Sequence, residues 1–352
     1  MLRVVIAAGG TAGHVVPALA VADALRAEGA RITWIGGERA EVRLVGEAGY
    51  ELRRIGVEGI SRSNPLKAVR AVARAGSAVA AARRILLGER PDVVLGGGGY
   101  VAGPVGAAAL ALRIPMVLTE ADSHLGLTNR LLAPRAARVC LAFPISGRTG
   151  ERYLVTGRPV PPPATDRAAA RARFGLEDWE TCVLVFGGSL GAKSINDAAV
   201  VGLRDGPFSV LHAAGTRDHD ALRARLGEAG SYDLRPYIDA FGEALAACDL
   251  CVARAGGSIF EIAAAGTPAI LIPYPLAAAD HQTGNARWMA DGGAAVVVPD
   301  AELTPERLCE EVLRLLGDPD RLRVMGEAAR ALARPDAAAR IAAEVRGAAS
   351  GA

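Results

Sequence analysis

Short apolar runs recur along this chain, and several of them end in glycine ahead of a stretch with helical spacing. In the first half the runs are residues 2–7, 31–35, 92–95, 116–119 and 139–141. Short runs rich in branched side chains and bounded by turn residues predict buried strands. Residues 17–28, 65–87 and 104–112 have helical periodicity, and each begins on proline. Proline suits the first helical position because its missing N–H would be unpaired there. The second half restarts the alternation. Residues 182–186, 209–212, 250–253, 269–272 and 294–298 predict strands, and residues 192–203, 218–226, 241–247, 259–265 and 282–291 predict helices. Thr304-Pro305-Glu306 predicts a capped helix running to residue 316.

Strands alternating with helices predict an α/β fold with parallel sheets covered on both faces. The chain has 352 residues, which suits about two domains. The cluster Pro159-Val160-Pro161-Pro162-Pro163-Ala164 cannot continue a helix or a central strand and reads as a semi-rigid linker. The expected division is a Rossmann-like domain over 1–158, the linker over 159–164, a second Rossmann-like domain over 165–335, and a final helix over 336–352. That alanine-rich helix either folds back on the first domain or frays.

Composition narrows the function classes. Hydrophobic residues make up 51% of the chain, enough for two cores, and the net charge of +2 is too small to argue for a nucleic-acid partner. Charge is unevenly spread, however. Arg62, Lys67, Arg70, Arg74, Arg83, Arg84 and Arg90 face a single acid, Glu89, across that span. The five cysteines are odd in number and most lie in apolar runs. Cys248 and Cys251 have CxxC spacing with no second pair, so small buried apolar residues are expected rather than a metal site. Residues 2–8 are too short for a signal peptide, no apolar stretch reaches the ~20 residues of a membrane span, and a reducing compartment is expected.

The candidate chemistry lies in four glycine-rich turns after predicted strands. They are Gly9-Gly10-Thr11-Ala12-Gly13-His14, Gly96-Gly97-Gly98-Gly99-Tyr100, Gly187-Gly188-Ser189-Leu190-Gly191-Ala192 and Arg254-Ala255-Gly256-Gly257-Ser258. A tight turn leading into a helix aims backbone N–H groups at an oxyanion or a diphosphate. Neither the dinucleotide spacing nor a P-loop is present. Two such units imply an enzyme that handles a phosphate-bearing substrate in a cleft the domains share. His14 could serve as a general base or as a phosphate ligand, or could simply pack at a helix start. Glu261, in the first turn of a helix, could take both hydroxyls of a ribose or could only complement the helix dipole. The row Asp280-His281-Gln282-Thr283-Gly284-Asn285 offers polar groups to a sugar, with capping by Asp280 as the alternative.

In collinear order, the first turn with Pro17-Ala18-Leu19-Ala20, then Gly97-Gly98-Gly99-Tyr100-Val101-Ala102-Gly103-Pro104, Gly126-Leu127-Thr128-Asn129-Arg130, the third turn, Arg254-Ala255-Gly256, Glu261, Gly266-Thr267-Pro268 and Gln282 to Asn285 resemble the MurG family of peptidoglycan N-acetylglucosaminyltransferases. The likeness spans about residues 3 to 300. It implies a two-domain GT-B enzyme that moves N-acetylglucosamine from UDP-N-acetylglucosamine to the C4 hydroxyl of undecaprenyl-linked lipid I, giving lipid II with inversion. The implied donor contacts are Thr11, Gly13, Asp122, Arg158, Ser189 on a phosphate, Gly257, Ser258, Glu261 on the ribose, and Gln282 and Asn285 on the sugar. The implied catalytic group is His14, and Asp122 joins it as a catalytic candidate because of a departure from the family described next. No cofactor and no metal are implied. The lipid acceptor gives the basic stretch a use: peripheral attachment to the anionic inner surface of the cell membrane, on the cytoplasmic side. A solvated helix face is the alternative.

The sequence departs from the family at three places, one of them the loop before Glu261, which is one residue shorter than in many relatives. Thr119-Glu120-Ala121-Asp122 stands where His-Glu-Gln-Asn is usual, so a carboxylate replaces a sugar-contacting amide, which adds Asp122, Glu120 and His124 as alternative acid–base groups. Gly157-Arg158-Pro159-Val160-Pro161 stands where Gly-Asn-Pro-Val-Arg is usual, so the arginine has moved. Competing readings are a GT-B transferase for another lipid or a natural product, a UDP-N-acetylglucosamine 2-epimerase, and a nucleotide-sugar-binding regulator.

Overall fold

The computed structural model describes residues 1–57, 65–188, 190–277 and 280–351, with backbone alone over 65–75. Ser189 and Arg62 lie outside the described residues, as do the side chains of Lys67, Arg70 and Arg74. The chain forms two compact units, Met1–Val160 with Arg334–Ala352, and Pro161–Ala333.

The first unit runs β1 (Arg3–Ala8), α1 (Ala12–Ala27), β2 (Arg31–Gly36), α2 (Ala40–Glu47), β3 (Glu51–Arg54), α3 (Pro65–Glu89), β4 (Val93–Gly98), α4 (Gly99–Ala111), β5 (Met116–Glu120), α5 (Leu127–Leu132), β6 (Arg138–Leu141) and β7 (Tyr153–Val155). The second runs α6 (Arg167–Arg173), β8 (Cys182–Phe186), α7 (Lys193–Gly202), β9 (Ser209–Ala213), α8 (His219–Leu226), β10 (Tyr232–Arg235), α9 (Phe241–Ala247), β11 (Leu250–Ala253), α10 (Ile259–Ala265), β12 (Ala269–Leu271), α11 (His281–Asp291), β13 (Ala295–Val297), α12 (Pro305–Leu316) and α13 (Pro319–Leu332). The last helix, α14 (Ala337–Ala349), returns to the first unit and packs on α1.

Both sheets are parallel throughout. Their orders are β3-β2-β1-β4-β5-β6-β7 and β10-β9-β8-β11-β12-β13. In each, strand order reverses at one place: between β1 and β4, and between β8 and β11. Ligands of open α/β sheets bind at the carboxyl ends of the strands flanking that reversal. All four glycine turns follow those four strands. The strands flanking the second reversal, β8 and β11, are buried along their whole length, and β1 is buried from Val4 onward, as their continuous apolar runs require. Trp34 shows the packing standard: it is 0% exposed, and its indole N–H donates to Ala8 O at 2.8 Å.

Two expectations are corrected. Helix α1 begins at Ala12 and α4 at Gly99, so Pro17 and Pro104 each sit at the sixth helical position rather than the first. The helices start directly on the glycine turns because those turns already supply the tight reversal. Strands β3, β7 and β10 and helices α2, α5, α6 and α13 add to the predicted elements.

Candidate active site

In the first unit the turn after β1 carries His14 into a cavity of about 190 Å³, also lined by Gly98, Asp122, Thr128 and Arg158. Glycine is needed around it. Gly98 has φ +94°, and a Cβ there would stand 2.7 Å from His14 Cδ2. A Cβ on Gly99 would collide with the Gly9 carbonyl, so at that point the two turns flanking the reversal approach backbone to backbone.

His14 Nδ1 lies 3.3 Å from Thr11 Oγ1. If Nδ1–H donates to that hydroxyl, the Nε2 lone pair is left for a substrate. Burial, and next the Arg158 guanidinium, hold the His14 pKa below its ordinary value, while Asp122 pulls it upward. The imidazole is therefore neutral at neutral pH, the state a base needs. Arg158 Nη2 donates to Gly13 O at 2.7 Å.

Beneath the turn is a residue the sequence did not single out. Glu41 is 0% exposed and accepts from Gly10 N and Gly37 N and from the Tyr100 hydroxyl, each at 2.8 Å. Burial works against its charge, but these donors outweigh it and hold its pKa below the ordinary value. Its only sequence signal is an acid in a first helical turn. Glu120, raised as an alternative acid–base group, is committed elsewhere. It accepts from the backbone N–H groups of Ala121, Asp122 and Gly126 and from Asn129 Nδ2, which ties down the loop that carries Asp122. Burial pushes its pKa up. His124 lies on that same loop.

In the second unit the turn after β8 has Gly188 at φ +93° and Gly191 at φ +73°, and a Cβ on Gly191 would collide with the Ala214 carbonyl. Asn196 Nδ2 donates to that same Ala214 O at 2.8 Å. Asn196 is held in turn by His212, whose Nε2 lies 3.1 Å from Asn196 Oδ1 and whose Nδ1 lies 2.8 Å from the Tyr232 hydroxyl. Burial drives the His212 pKa down to about 3, so this brace is neutral.

The turn after β11 is pinned by Arg254, which is buried. Its guanidinium donates to Ile272 O, Pro273 O, Asp300 Oδ1 and Ser194 Oγ. Gly257 and Ser258 lead directly into α10, and Glu261 stands half-buried in its first turn. Gln282 Oε1 accepts from Tyr274 N at 3.0 Å, which orients the rest of its amide. Asn285 sits under the turn rather than beside Gln282: it is 1% exposed and its Nδ2 donates to Ala255 O at 3.0 Å. The Asp280 carboxylate makes no capping bond to a backbone N–H of α11, and accepts from the Thr283 hydroxyl in its first turn instead.

The structure thus gathers Thr11, Gly13, His14, Asp122 and Arg158 at the first reversal, and Gly257, Ser258, Glu261 and Gln282 on elements at the second. Among the described residues no group of three or more His, Cys, Asp or Glu side chains could hold a metal ion. The cysteines Cys140, Cys182, Cys248 and Cys251 are buried, and burial raises each thiol pKa.

The glycosyltransferase family 28 N-terminal domain matches residues 4–141, and the family 28 C-terminal domain matches residues 182–341. A curated relative from Halorhodospira halophila, UDP-N-acetylglucosamine–N-acetylmuramyl-(pentapeptide) pyrophosphoryl-undecaprenol N-acetylglucosamine transferase, is 42% identical over 96% of each chain. The crystal structure of Acinetobacter baumannii MurG superposes with a TM-score of 0.81 at 31% identity, covering 99% of this chain and 100% of that one. The UDP-GlcNAc 2-epimerase of Neisseria meningitidis, solved with UDP-GlcNAc, superposes at 0.71 over 99% of this chain and 100% of that one. At 13% identity it shares the fold alone. With both domain models matched in order and the relatives aligned end to end, the chain belongs to the MurG family of GT-B glycosyltransferases.

Proposed function

We propose that this chain transfers N-acetylglucosamine from UDP-N-acetylglucosamine to the C4 hydroxyl of the muramoyl sugar of undecaprenyl-linked lipid I, forming lipid II with inversion. The observation that carries this reading is the pairing of a neutral, cavity-lining imidazole at one strand reversal with a carboxylate in a helix first turn at the other, in a chain of this family.

The second unit carries the donor. Glu261 accepts the two ribose hydroxyls, which match its two oxygens. Backbone N–H groups of Gly257 and Ser258 and of the turn holding Ser189 receive the diphosphate. Gln282 contacts the sugar, and Asn285 holds the turn against which the sugar lies. The first unit receives the acceptor. His14 Nε2 takes the C4 hydroxyl proton while that oxygen attacks the anomeric carbon. The bond to the β-phosphate oxygen breaks, and its electron pair leaves with UDP. Asp122 stabilises the imidazolium as it forms, and Arg158, Thr11 and Gly13 hold the ring's surroundings. One displacement inverts the anomeric centre.

A lipid-borne acceptor places the enzyme at the cytoplasmic face of the cell membrane as a peripheral protein. Arg83, Arg84 and Leu87 are exposed on α3, and the cavity-lining Leu127 is 60% exposed beside exposed Arg130 and Leu131. Among the described residues no helix is long and apolar enough to cross a membrane.

The test is radiolabel transfer from UDP-N-acetylglucosamine to a lipid I analogue, with anionic and neutral vesicles in parallel. Expected are acceptor-dependent product, loss of roughly 10²–10⁴ in kcat for His14→Ala, a raised donor KM for Glu261→Ala, and salt-sensitive binding to anionic vesicles only. Conversion of the donor without acceptor would return the epimerase reading. UDP binding with no turnover would return the regulator.

A further inference from the structure

We propose that Pro17 is a positioning residue for the reaction: by lacking an N–H it leaves the Gly13 carbonyl to hold the Arg158 guanidinium beside His14. This rests on the reading of His14 as the base.

In a regular helix the N–H of residue 17 would donate to the carbonyl of residue 13. Proline removes that donor, and its ring pushes the carbonyl four residues back away from the helix axis. In α1 those two residues are Pro17 and Gly13. The freed carbonyl is not left to solvent, because Arg158 Nη2 donates to it at 2.7 Å. Gly13 is the immediate neighbour of His14, and Gly13, His14, Pro17 and Arg158 all line one cavity. The guanidinium also lies directly against Gly13, since a Cβ there would stand in ordinary contact, 3.5 Å, with Arg158 Nη2. A proline inside a helix costs stability. Here the bond it forgoes inside the helix is exchanged for an anchor on the cation beside the base.

Pro17→Ala restores the N–H, draws the Gly13 carbonyl back toward the axis and loosens Arg158. Two readouts then move in opposite senses. The melting temperature stays level or rises, while kcat falls about tenfold, the scale of one hydrogen bond to a charged group, with donor KM unchanged. The variant Pro17→Ala/Arg158→Ala loses no more kcat than Arg158→Ala alone, because both changes remove one anchor. An NMR titration of the His14 ring shows its pKa higher in Pro17→Ala than in the parent, and this needs no turnover. Pro17→Gly restores the same N–H and serves if the alanine variant folds poorly. Parental kcat in Pro17→Ala, multiplied losses in the double variant, or an unmoved His14 titration overturns the proposal. If the parent itself transfers nothing, the functional reading fails, and the titration still decides the role of Pro17.

Discussion

At the scale of residues, His14 stands between opposite charges, and each can be removed alone. Burial and Arg158 lower its pKa and Asp122 raises it. If His14 is the base, the rate climbs with pH as the ring loses its proton, and the midpoint lies below the ordinary histidine value near 6.5. Taking away the positive neighbour favours the protonated ring, so Arg158→Gln moves the midpoint up. Taking away the negative neighbour does the reverse, so Asp122→Asn moves it down. The measurement is kcat/KM against pH for the three proteins, and two shifts of the same sign would remove His14 from the role. His14 could be read in the sequence because it closes a glycine turn. Glu41 could not, because only the folded chain brings its carboxylate under Gly10 and against Tyr100 from a separate helix. The same is true of His212, which looks like one more residue of a strand until Asn196 and Tyr232 meet it.

Elements divide by where they lie in a sheet. Interior strands such as β1, β8 and β11 are buried on both faces and announce themselves as apolar runs. The strands that went unseen, β3, β7 and β10, are all edges. The sequence of β3 is Glu-Leu-Arg-Arg and no residue in it is buried, so hydrophobic patterning carries little trace of it. The starts of α1 and α4 differ from the sequence expectation for another reason: Pro17 and Pro104 signal a beginning, whereas the glycine turn has already reversed the chain. Those turns make a paired prediction. Gly98→Ala puts a methyl against His14 at a left-handed φ, so kcat should fall by at least tenfold, about the effect of ~1.4 kcal/mol in the barrier, with donor affinity retained. Gly191→Ala drives a methyl into the Ala214 carbonyl, so donor affinity should fall with the fold kept. Calorimetric titration with UDP, beside single-turnover rates, separates the two. Equal effects of both variants on UDP affinity would contradict the assignment of the turns to different substrates.

At the scale of the whole molecule, the chain crosses from the first unit to the second near Val160 and returns at Arg334. Two features pack the return. Gly157, at φ +82°, lies against Arg334, and Ile341, Ala342, Val345 and Ala348 of α14 enter the core built on β1, β2 and β4. Arg346 pairs with Glu28, which caps the C-terminus of α1, and Arg138 with Glu344 at 3.2 Å. Ending the chain at Ala333 strips these apolar groups from their core. Buried branched side chains contribute ~1.5–3 kcal/mol each, so the loss approaches the full stability of a typical domain, about 5–15 kcal/mol. Calorimetry of the truncated chain should show the first unit's transition lost and the second's kept; both transitions at their parental temperatures would contradict it.

The return of α14 also orders events during synthesis. The unit encoded by the first 160 residues leaves the ribosome without the helix that seals one face of its sheet. It waits, partly uncovered, while the second unit is made, and its core is complete only once α14 emerges. The half of the enzyme translated first is therefore sealed only after the other half has been made, and a ribosome stalled anywhere before α14 holds a chain whose leading half still lacks part of its core.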